Sequence, residues 1–582
     1  MIKKATTVLL ILFIGCSPKS DLPDIAQKIE NLKTFSKIYG YIKYFHPSDE
    51  AFRLDWDKFS IYAANKVLKC ETNEAFVKTI DTLFSPIAPS IRFSNSKGDT
   101  LIVKNSNNSD VIGEQFWFHQ GVGYGMSMQN GPYYSQRIIA TSENDSISFR
   151  PKYGETTNVS LNENQYLSIP LVVNVDEQGT IPISSKKRLE SLITDLNHYK
   201  IDESSISFRL GNIINTYNVF QHFFPYFDVL KLDWENELES ALIRSFKDSS
   251  LKDHLITLRK FTSPLKDGHI SINAKGVKEG LYTPPFYWEW VGDKLIISDV
   301  WEDDLNLKNG DEVIKINGVS SKEYFEEVNS MISAGTVGWL RHKSEELSLL
   351  GEQGSKITIE TTNQTIEVTR NQKPYSHVKS FKPYTKIDKG IHYLNLSLLD
   401  METFNYLLPQ LEKSTGLIFD LRGYPNGNGE IINHLMKVGD TTKAWMYIPK
   451  IVYPDQQKPK SYLTANWKGF FEPALPYLGD KKVVILTDGK AISYAESLIG
   501  FVKGYKLATI VGQPTAGTNG NFNTFNLPGE IKIKWTGMKV VKHDGSQLYG
   551  IGVLPDVYVQ KTVQGIKEGR DVFLEKAIEI VR

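Results

Sequence analysis

Val483 to Glu496 reads VVILTDGKAISYAE. Its first four residues form an apolar run with the length and β-branched content of a buried strand, and Thr487–Gly489 is typical of a turn. Ser493-x-x-Glu496 is a capping-box pattern, which predicts that a helix begins here. Ser493 would then lie just past a buried strand, beside helix N–H groups that stabilise negative charge. The alternative is that Ser493 only caps the helix, with Glu496 as its partner.

The composition indicates a multidomain globular protein. The protein has 582 residues, of which 41% are hydrophobic and 12% aromatic. That length is enough for about three to five domains of ordinary size. Lys+Arg and Asp+Glu both number 67, so the formal net charge is zero. A sequence without a basic excess does not indicate a nucleic-acid-binding protein.

The N-terminus has the features of a targeting segment. Lys3-Lys4 precedes an apolar stretch, Thr7–Ile14, that is too short to span a bilayer and leads to Gly15-Cys16. The segment resembles a bacterial lipoprotein signal. That resemblance implies export and attachment to a cell-envelope membrane through a lipid on Cys16. An ordinary secretory signal or a membrane anchor is the alternative. Cys70 is the only other cysteine, and we expect it to be a small core residue.

An internal repeat follows the signal. Tyr44–Pro47 with Leu54–Trp56 recurs further along, at one constant offset in residue number, as His222–Pro225 with Leu232–Trp234. Each copy predicts two amphipathic helices joined through the proline and a tryptophan-bearing turn. Matching aromatic residues at one period favour matching cores, so the repeat itself predicts structure rather than catalysis.

The two copies differ at their ends, where only the second contains Asp267-Gly268-His269. A lone histidine is usually a structural or surface residue, but this contrast within one sequence singles out His269. Gly268 would allow a positive φ in the turn. Asp267 could cap the turn or orient the imidazole ring.

Two further segments read as β-rich. Between the copies, short strand patterns predict an inserted antiparallel β module, in which Phe116–His119 and Tyr133-Tyr134 could form a stacking surface for a sugar or peptide. Core packing is the alternative for these aromatic residues. Further on, Leu307–Gly318 resembles the signature of PDZ domains, which bind the C-termini of other polypeptides as an added edge strand. A generic β-hairpin is the alternative there.

The last part of the sequence alternates strands with helices, which predicts a βαβ layout with parallel strands. Four motifs occur in order there: Asp420-Leu421-Arg422-x-x-Pro425, the Ser493 element, Ala508–Gly512, and Gly550-x-Gly552-Val553-x-Pro555-Asp556-Val557. Together they resemble the S41 serine peptidases, the C-terminal processing or tail-specific proteases. With the PDZ-like segment, the similarity covers about residues 205 to 582. It implies a crotonase-like α/β core with Ser493 as nucleophile.

The resemblance also implies where the oxyanion of the acyl transfer would be held. The backbone N–H groups of Asn426, Gly427 and Tyr494 match the oxyanion hole. This agrees with the position expected for Ser493, beside helix N–H groups and facing a second glycine-containing loop. Asn426 stands where the family's loop usually has its first glycine, which changes the preferred backbone dihedrals.

The catalytic base departs from the family's common pattern. Many members use a lysine about 25 residues after the serine, where this protein has Thr518. Another branch, which resembles the tricorn core protease, uses a histidine before the PDZ domain, and His269 matches it. A neutral imidazole can take the serine proton. That branch's serine and glutamate partners correspond here to Gly268 and Tyr549. Asp267 and Asp544 are therefore both candidates for orienting the ring.

We therefore predict a multidomain α/β protein with a crotonase-like protease core, a PDZ-like domain, helical repeat segments and an inserted antiparallel β module. The expected activity is that of an exported, lipid-tethered serine peptidase without metal or organic cofactor, acting on peptides or proteins read at their C-termini. The alternative is a catalytically silent relative that binds peptides or glycans. An esterase of the α/β-hydrolase type is disfavoured because Gly489-x-x-x-Ser493 lacks the Gly-x-Ser-x-Gly elbow. The predicted domains are 1–16 signal, 17–93 first repeat copy, 94–180 β module, 181–274 second copy, 275–370 PDZ-like domain and 371–582 protease core.

Overall fold

A computed structural model provides the structure of this protein. It describes residues 22–96, 111–121, 133–141, 149–277, 280–374, 382–388, 390–441, 443–456, 461–464 and 471–582. The predicted lipidation residue Cys16 lies outside these residues. Within them, helices combine with five separate sheets, so the predicted multidomain α/β class is confirmed. No helix in these ranges is both long and apolar enough to cross a membrane.

The first half of the protein holds the two repeat copies and the segment between them. The first copy consists of α1 (Leu22–Phe45), α2 (Asp49–Phe52), α3 (Trp56–Val67), α4 (Asn73–Phe84) and β1 (Arg92–Ser94). The intervening segment contains β2 (Gly113–Gln120), β3 (Tyr134–Ala140), β4 (Thr156–Asn162), β5 (Gln165–Pro170), β6 (Val172–Asp176) and β7 (Gly179–Ile181). The second copy follows with α5 (Lys186–His198), α6 (Ile206–Phe223), α7 (Trp234–Ser245), α8 (Leu251–Thr262) and β8 (Ser271–Ala274).

The second half contains a β-rich unit, which we call the 286–369 unit, and then an α/β unit. The 286–369 unit consists of β9 (Phe286–Val291), β10 (Lys294–Val300), β11 (Glu312–Ile316), β12 (Val319–Ser320), α9 (Ser321–Ser330), α10 (Val337–Leu349), β13 (Lys356–Thr361) and β14 (Thr365–Thr369). The α/β unit consists of β15 (Tyr384–Lys386), β16 (Ile391–Asn395), α11 (Met401–Leu411), β17 (Gly416–Asp420), β18 (Met446–Ile451), β19 (Ser461–Thr464), β20 (Lys482–Thr487), α12 (Tyr494–Tyr505), β21 (Thr509–Gly512), β22 (Phe522–Leu527), β23 (Ile531–Thr536), β24 (Lys539–Val540), β25 (Val557–Tyr558), α13 (Val563–Lys567) and α14 (Val572–Val581).

The internal repeat is also seen in the residues at which the helices begin and end. The offset in residue number that separates the two motifs also separates both ends of α3 from those of α7, both ends of α4 from those of α8, and the end of α1 from that of α6. Asp55 and Asp233 cap α3 and α7 in the same way, since each carboxylate accepts the backbone N–H three residues further on. An N-cap carboxylate satisfies an otherwise unpaired helix N–H. The repeat therefore comprises three long helices per copy, one more than the pattern predicts.

The two copies pack face to face. α3 of the first copy contacts α6 of the second, and α7 of the second contacts α1 of the first. Lys33 and Lys37 on α1 form ion pairs of 2.8 Å with Glu239 and Glu235 on α7. The contacts between the copies are thus reciprocal, because α3 corresponds to α7 and α1 ends at the position that corresponds to the end of α6. Cys70, as expected, is buried in this core.

The segment between the copies is not an independent module. Its strand β2 pairs with β18 of the α/β unit, with His119 opposite Ile451. Phe116, Trp117, Phe118, His119 and Tyr133 are all buried. The idea of an exposed stacking surface is therefore wrong for these five residues, which pack in the core.

Two sheets position the candidate catalytic segments. β16, β17, β20, β21 and β25 run parallel in one sheet, with β15 antiparallel at its edge. Apolar residues on both faces of its central strands are buried, as expected for a covered parallel sheet. In a second sheet, β8 pairs with β23, placing Ser271 opposite Lys534. This pairing brings the Asp267–His269 segment to the α/β unit.

The repeat allows a matched test of core packing. Trp234 is 4% exposed, stacks on Phe261 with ring centroids 4.5 Å apart, and donates to the Tyr217 carbonyl. Its equivalent, Trp56, is only partly buried. We expect Trp234→Ala to lower the free energy of unfolding by about 3–5 kcal/mol, because it leaves a cavity in a closed core. Trp56→Ala should cost less, and equal losses in denaturant titrations followed by circular dichroism would contradict this packing.

Candidate active site

Ser493 lies on a strained turn between β20 and α12. Its backbone has φ 58° and ψ −117°, a conformation that a residue with a side chain rarely adopts. Such strain costs about 1–3 kcal/mol and is concentrated at functional sites. The Ser493 hydroxyl makes no hydrogen bond to the helix N-terminus. α12 begins where the sequence predicts, but the predicted capping box is wrong and the hydroxyl is not used as a cap.

Glu496 instead holds the neighbouring loop. Its buried carboxylate accepts hydrogen bonds from the Thr515 hydroxyl at 2.5 Å and from the Gly517 and Thr518 N–H groups at 2.8 and 2.9 Å. Burial raises the pKa of Glu496 to about 7, although these hydrogen bonds act to lower it. The first turn of α12 is thereby tied to residues 515–518.

Thr518 links this turn to the histidine segment. Its carbonyl accepts the Ser493 N–H at 2.9 Å, and its hydroxyl accepts the Gly268 N–H at 2.9 Å. A Cβ atom on Gly268 would lie 2.9 Å from Trp339 Nε1 and 3.1 Å from Ile492 Cδ1. Gly268 is therefore required by close approach, whereas the positive φ expected from the sequence is not found. Thr518, which stands where the resemblance predicts a lysine, thus joins the segment of the predicted nucleophile Ser493 to the segment of the predicted base His269.

The His269 ring is oriented through Thr536, at the end of β23. His269 Nδ1 lies 2.8 Å from the Thr536 hydroxyl oxygen, and that hydroxyl donates to Asp267 Oδ1 at 2.7 Å. Since the threonine proton is used on Asp267, the remaining bond requires Nδ1–H as donor. Nε2 is then the unprotonated nitrogen, which is the tautomer that a general base needs.

Asp267 holds this arrangement in place. It is fully buried and accepts the backbone N–H groups of His269 at 3.0 Å and Thr536 at 2.7 Å, in addition to the Thr536 hydroxyl. Its own N–H donates to the Ser333 hydroxyl at 2.7 Å. A buried carboxylate with three donors is well satisfied. Asp267 therefore acts on His269 through Thr536 and the backbone.

The protonation state of His269 suits a base. Burial lowers the pKa of His269 to about 4; Asp267 acts to raise this pKa and Lys534 to lower it further. The imidazole is consequently neutral at neutral pH. Among the described residues, no hydrogen bond joins the His269 ring to the Ser493 hydroxyl. The two segments are adjacent through Thr518, but the final proton-transfer contact is not made in this structure.

The predicted oxyanion donors are only partly available. The Asn426 N–H donates to the Leu396 carbonyl at 2.9 Å, so the prediction that it holds an oxyanion is wrong for this structure. Gly427 has φ 65° and open space where a Cβ would stand, and its N–H has no acceptor within the described ranges. Burial raises the pKa of Tyr424, on the same loop, and interactions with Ser493 and with the Tyr494 backbone act to lower it.

Asp544 and Tyr549 lie outside this arrangement. The Asp544 carboxylate is exposed and accepts the N–H and hydroxyl of Ser546 at 2.9 and 2.7 Å. The Tyr549 hydroxyl donates to the Leu265 carbonyl, and its ring stacks on Tyr226 with centroids 3.9 Å apart. The contacts of Asp544 do not include His269, and Tyr549 supports the turn before Asp267 instead of carrying a proton.

Sequence reasoning missed Thr536. The signal for Thr536 was weak: a buried polar residue at the end of the mostly apolar, alternating strand β23. The role of Thr536 becomes visible only when β23 pairs with β8 and brings Thr536 beside the His269 ring.

In the 286–369 unit, helix α10 lies against one edge strand of the sheet. β9 is an edge strand of the sheet. Glu345 on α10 accepts the Trp290 N–H at 2.7 Å, and Arg341 donates to the Gly292 carbonyl at 2.6 Å. These are backbone groups that an added peptide strand would use. Peptide addition along this end of β9 would therefore require α10 to give up these hydrogen bonds.

Comparisons with known proteins find similarity in the part of the chain that contains Ser493. Residues 377–559 match the family model Peptidase family S41. The carboxyl-terminal-processing protease of Synechocystis sp. is 24% identical over 247 residues, which are 40% of this chain and 54% of that protein. The carboxy-terminal-processing protease of Bartonella bacilliformis is 26% identical over 200 residues, 32% of this chain and 43% of that protein. The chain thus spans about half the length, or less, of these curated relatives.

One solved structure shows the extent of the shared fold. Mature CPAF in complex with lactacystin superposes with a TM-score of 0.53 at 14% sequence identity, covering 64% of this chain and 97% of that chain. At this identity the likeness concerns the fold alone. The matched family region contains Ser493, Glu496, Thr518 and Thr536, and so most of the site described above. Residues 377–559 are therefore a Peptidase family S41 domain, which in this protein follows the helical repeats.

Proposed function

We propose that this protein is a serine peptidase of the tail-specific kind, which cleaves peptides or proteins outside the cytoplasm through an acyl-enzyme. The observation that carries the proposal is the Asp267–Thr536–His269 relay, joined through Thr518 to a strained serine at a helix start. The family match and the names of the two processing proteases support it. Export and tethering through Cys16 remain part of the proposal, and they rest on the N-terminal sequence.

In the proposed reaction, the Ser493 hydroxyl oxygen attacks the scissile carbonyl carbon while its proton passes to His269 Nε2. The carbonyl π electrons move onto oxygen, and in this proposal the N–H groups of Gly427 and Tyr494 donate hydrogen bonds to that charge. Collapse of the intermediate breaks the C–N bond, and the imidazolium returns its proton to the departing amine. Water then repeats the sequence on the ester and restores Ser493. The relay holds the neutral imidazole in its reactive tautomer before each proton transfer and holds the ring in place while it is an imidazolium.

Two observations favour a second candidate, a catalytically silent protein that binds peptides. His269 and Ser493 are not hydrogen-bonded in this structure, and the position of the family's lysine is taken by Thr518. Catalytic hydrogen bonds are often long before substrate binds, so this geometry does not decide between the two candidates. Chemical labelling of Ser493 does decide.

We expect a fluorophosphonate probe to label the wild-type protein on Ser493, and neither Ser493→Ala nor His269→Ala to be labelled. The first variant lacks the nucleophile and the second lacks its base. Cys16→Ser should keep the label but move it from the membrane fraction to the soluble fraction. An unlabelled wild-type protein that still binds peptides tightly would favour the silent alternative. Circular dichroism spectra that match wild type would show that the variants are folded.

Thr536 offers a test of the relay. Thr536→Val removes the hydroxyl that joins Asp267 to His269, whereas Thr536→Ser keeps it. We expect valine to lower kcat about 100-fold, because the ring loses its fixed tautomer, and serine to restore most of the activity. Peptide hydrolysis measured across pH should show the loss in kcat with little change in KM. Equal activity of the two variants would mean that Thr536 only packs.

We further propose that substrates are read at their C-termini in a cavity of about 550 Å³ between α10, the end of β9 and the turn before Ser493. The end of β9 is already bonded to α10, so a free strand edge is not the receptor. Lys490 lines the cavity, and its ammonium has no hydrogen-bonding or ion-pair partner among the described residues. A carboxylate there would gain a charge-assisted hydrogen bond.

This proposal predicts a dependence on the substrate's terminal charge. A peptide with a free C-terminus should be cleaved with a KM about tenfold lower than its C-terminal amide, and Lys490→Gln should remove most of the difference. Lys386→Gln, on an exposed strand end, serves as the control. The same KM for acid and amide would contradict C-terminal reading without affecting the labelling result.

A further inference from the structure

The three-stranded sheet that carries Thr536 has one face in the core and one outer face. Along β23 the odd-numbered residues are buried, whereas Lys532 is exposed and Lys534 is partly exposed. Successive side chains of a strand point to opposite faces, so both lysines share the outer face with Thr536. The Thr536 hydroxyl oxygen lies 2.8 Å from His269 Nδ1. The outer face therefore extends from the predicted base along two lysines.

Lys534 lies beside the predicted base. Its ammonium nitrogen is 3.7 Å from the centroid of the Phe522 ring, and the centroid of that ring is 6.3 Å from the centroid of the His269 ring. Phe522 is paired across the sheet with Thr536, which contacts His269. On the other side, Lys534 is paired with Ser271, two residues after His269. Phe522 thus contacts both the ammonium and the imidazole.

The two lysines have no countercharge on this face. Their cross-strand neighbours are all uncharged: Thr524 and Ser271 flank Lys534, and Asn526 and Asn273 flank Lys532. Within the part of the chain that the structure describes, no carboxylate lies within ion-pair distance of either ammonium. The two ammonium groups are therefore available to an anionic ligand.

The acidic residues nearby are already in use. Asp267 is fully buried and accepts three hydrogen bonds, and Glu530, directly before β23, forms an ion pair of 2.8 Å with Lys275. Burial lowers the pKa of Lys534, and the like charge of Lys532 acts in the same direction, whereas Asp267 acts to raise this pKa. A carboxylate from a ligand would reduce the repulsion between the two lysines.

We propose that Lys534, together with Lys532, selects substrates that carry aspartate or glutamate just after the scissile bond. The inference rests on the proposed peptidase activity and deepens it by naming a class of substrate. In that reaction His269 returns its proton to the departing amine, so groups around its ring face the segment that leaves with the amine. Lys534 would contact the acidic side chain nearer to the scissile bond, and Lys532 the next one.

The spacing of the lysines suits an extended peptide. Residues two apart on a strand are about 7 Å apart, which is also the distance between alternate side chains of an extended peptide. An acidic residue at the first position after the scissile bond and another at the third would therefore match Lys534 and Lys532. The exposed Glu530 lies next along the same strand and would repel a longer polyanion. The face thus fits a short acidic segment of polypeptide.

Two peptides test the inference, with a sequence whose scissile bond has been mapped with the wild-type protein. They differ only in having glutamate or glutamine at the first and third positions after that bond. We expect the wild-type kcat/KM to be about tenfold higher for the glutamate peptide. Lys534→Gln should remove most of this preference, Lys534→Arg should keep it, and Lys534→Glu should reverse it in favour of a peptide with lysine at these positions.

Lys482→Gln is the matched control. Lys482 is exposed at the start of β20, the opposite end of that strand from the Ser493 turn, so its variant should keep the wild-type preference. Equal kcat/KM of the wild-type protein for the two peptides would overturn the inference. A preference that survives in Lys534→Gln, or that is lost in Lys482→Gln, would overturn it as well. If Lys534 only packs on Phe522, its variants would change both peptides' kcat/KM by the same factor.

A binding measurement separates this inference from the function on which it rests. The Ser493→Ala variant should bind the glutamate peptide about tenfold more tightly than the glutamine peptide, as followed by fluorescence anisotropy, and Lys534→Gln in that background should remove the difference. This measurement needs no catalysis. A wild-type protein that is never labelled on Ser493 would refute the peptidase function, whereas equal binding of the two peptides would refute the role of the lysines.

Discussion

The two hydrogen bonds of Thr518 are the constraint on which the candidate site depends. They join Ser493, at the start of α12, to Gly268, which lies in the second helical copy, far earlier in the sequence. Thr518 is itself held by the buried Glu496 carboxylate. A typical hydrogen bond contributes about 0.5–1.5 kcal/mol net, so these bonds together can offset the strain of about 1–3 kcal/mol at Ser493. A shift of this loop would separate the nucleophile from its base and relax the strained turn.

The site is built on rigid elements from distant parts of the sequence. β8 and β23 form one sheet, which brings the turn that carries His269 beside Thr536 at the end of β23. Asp267 completes this placement because it accepts N–H groups from both segments. A peptide substrate would thus meet a base whose position is fixed before binding.

The two helical copies share one scaffold, but only the second copy contains a candidate catalytic residue. Their long helices share bounds, caps and reciprocal packing. The counterpart of Gly268 in the first copy is Ser90, whose hydroxyl bonds the buried His46 ring at 2.7 Å. The counterpart of His269 is Ile91, which is also buried. The first copy therefore ends in a packed core. At the equivalent position, the second copy places the His269 imidazole beside the S41 domain.

The sequence by itself determined the strand–turn–helix around Ser493, the repeat, and the importance of His269, because these follow from local periodicity and from differences between two copies of one pattern. It also placed Asp267 beside His269. The Thr536 relay, the loss of the Asn426 amide to Leu396 and the contacts of Glu496 with Thr515 in place of a capping box were decided only by tertiary structure. Each depends on which partner a polar group meets when distant segments pack, and a local pattern does not contain that partner.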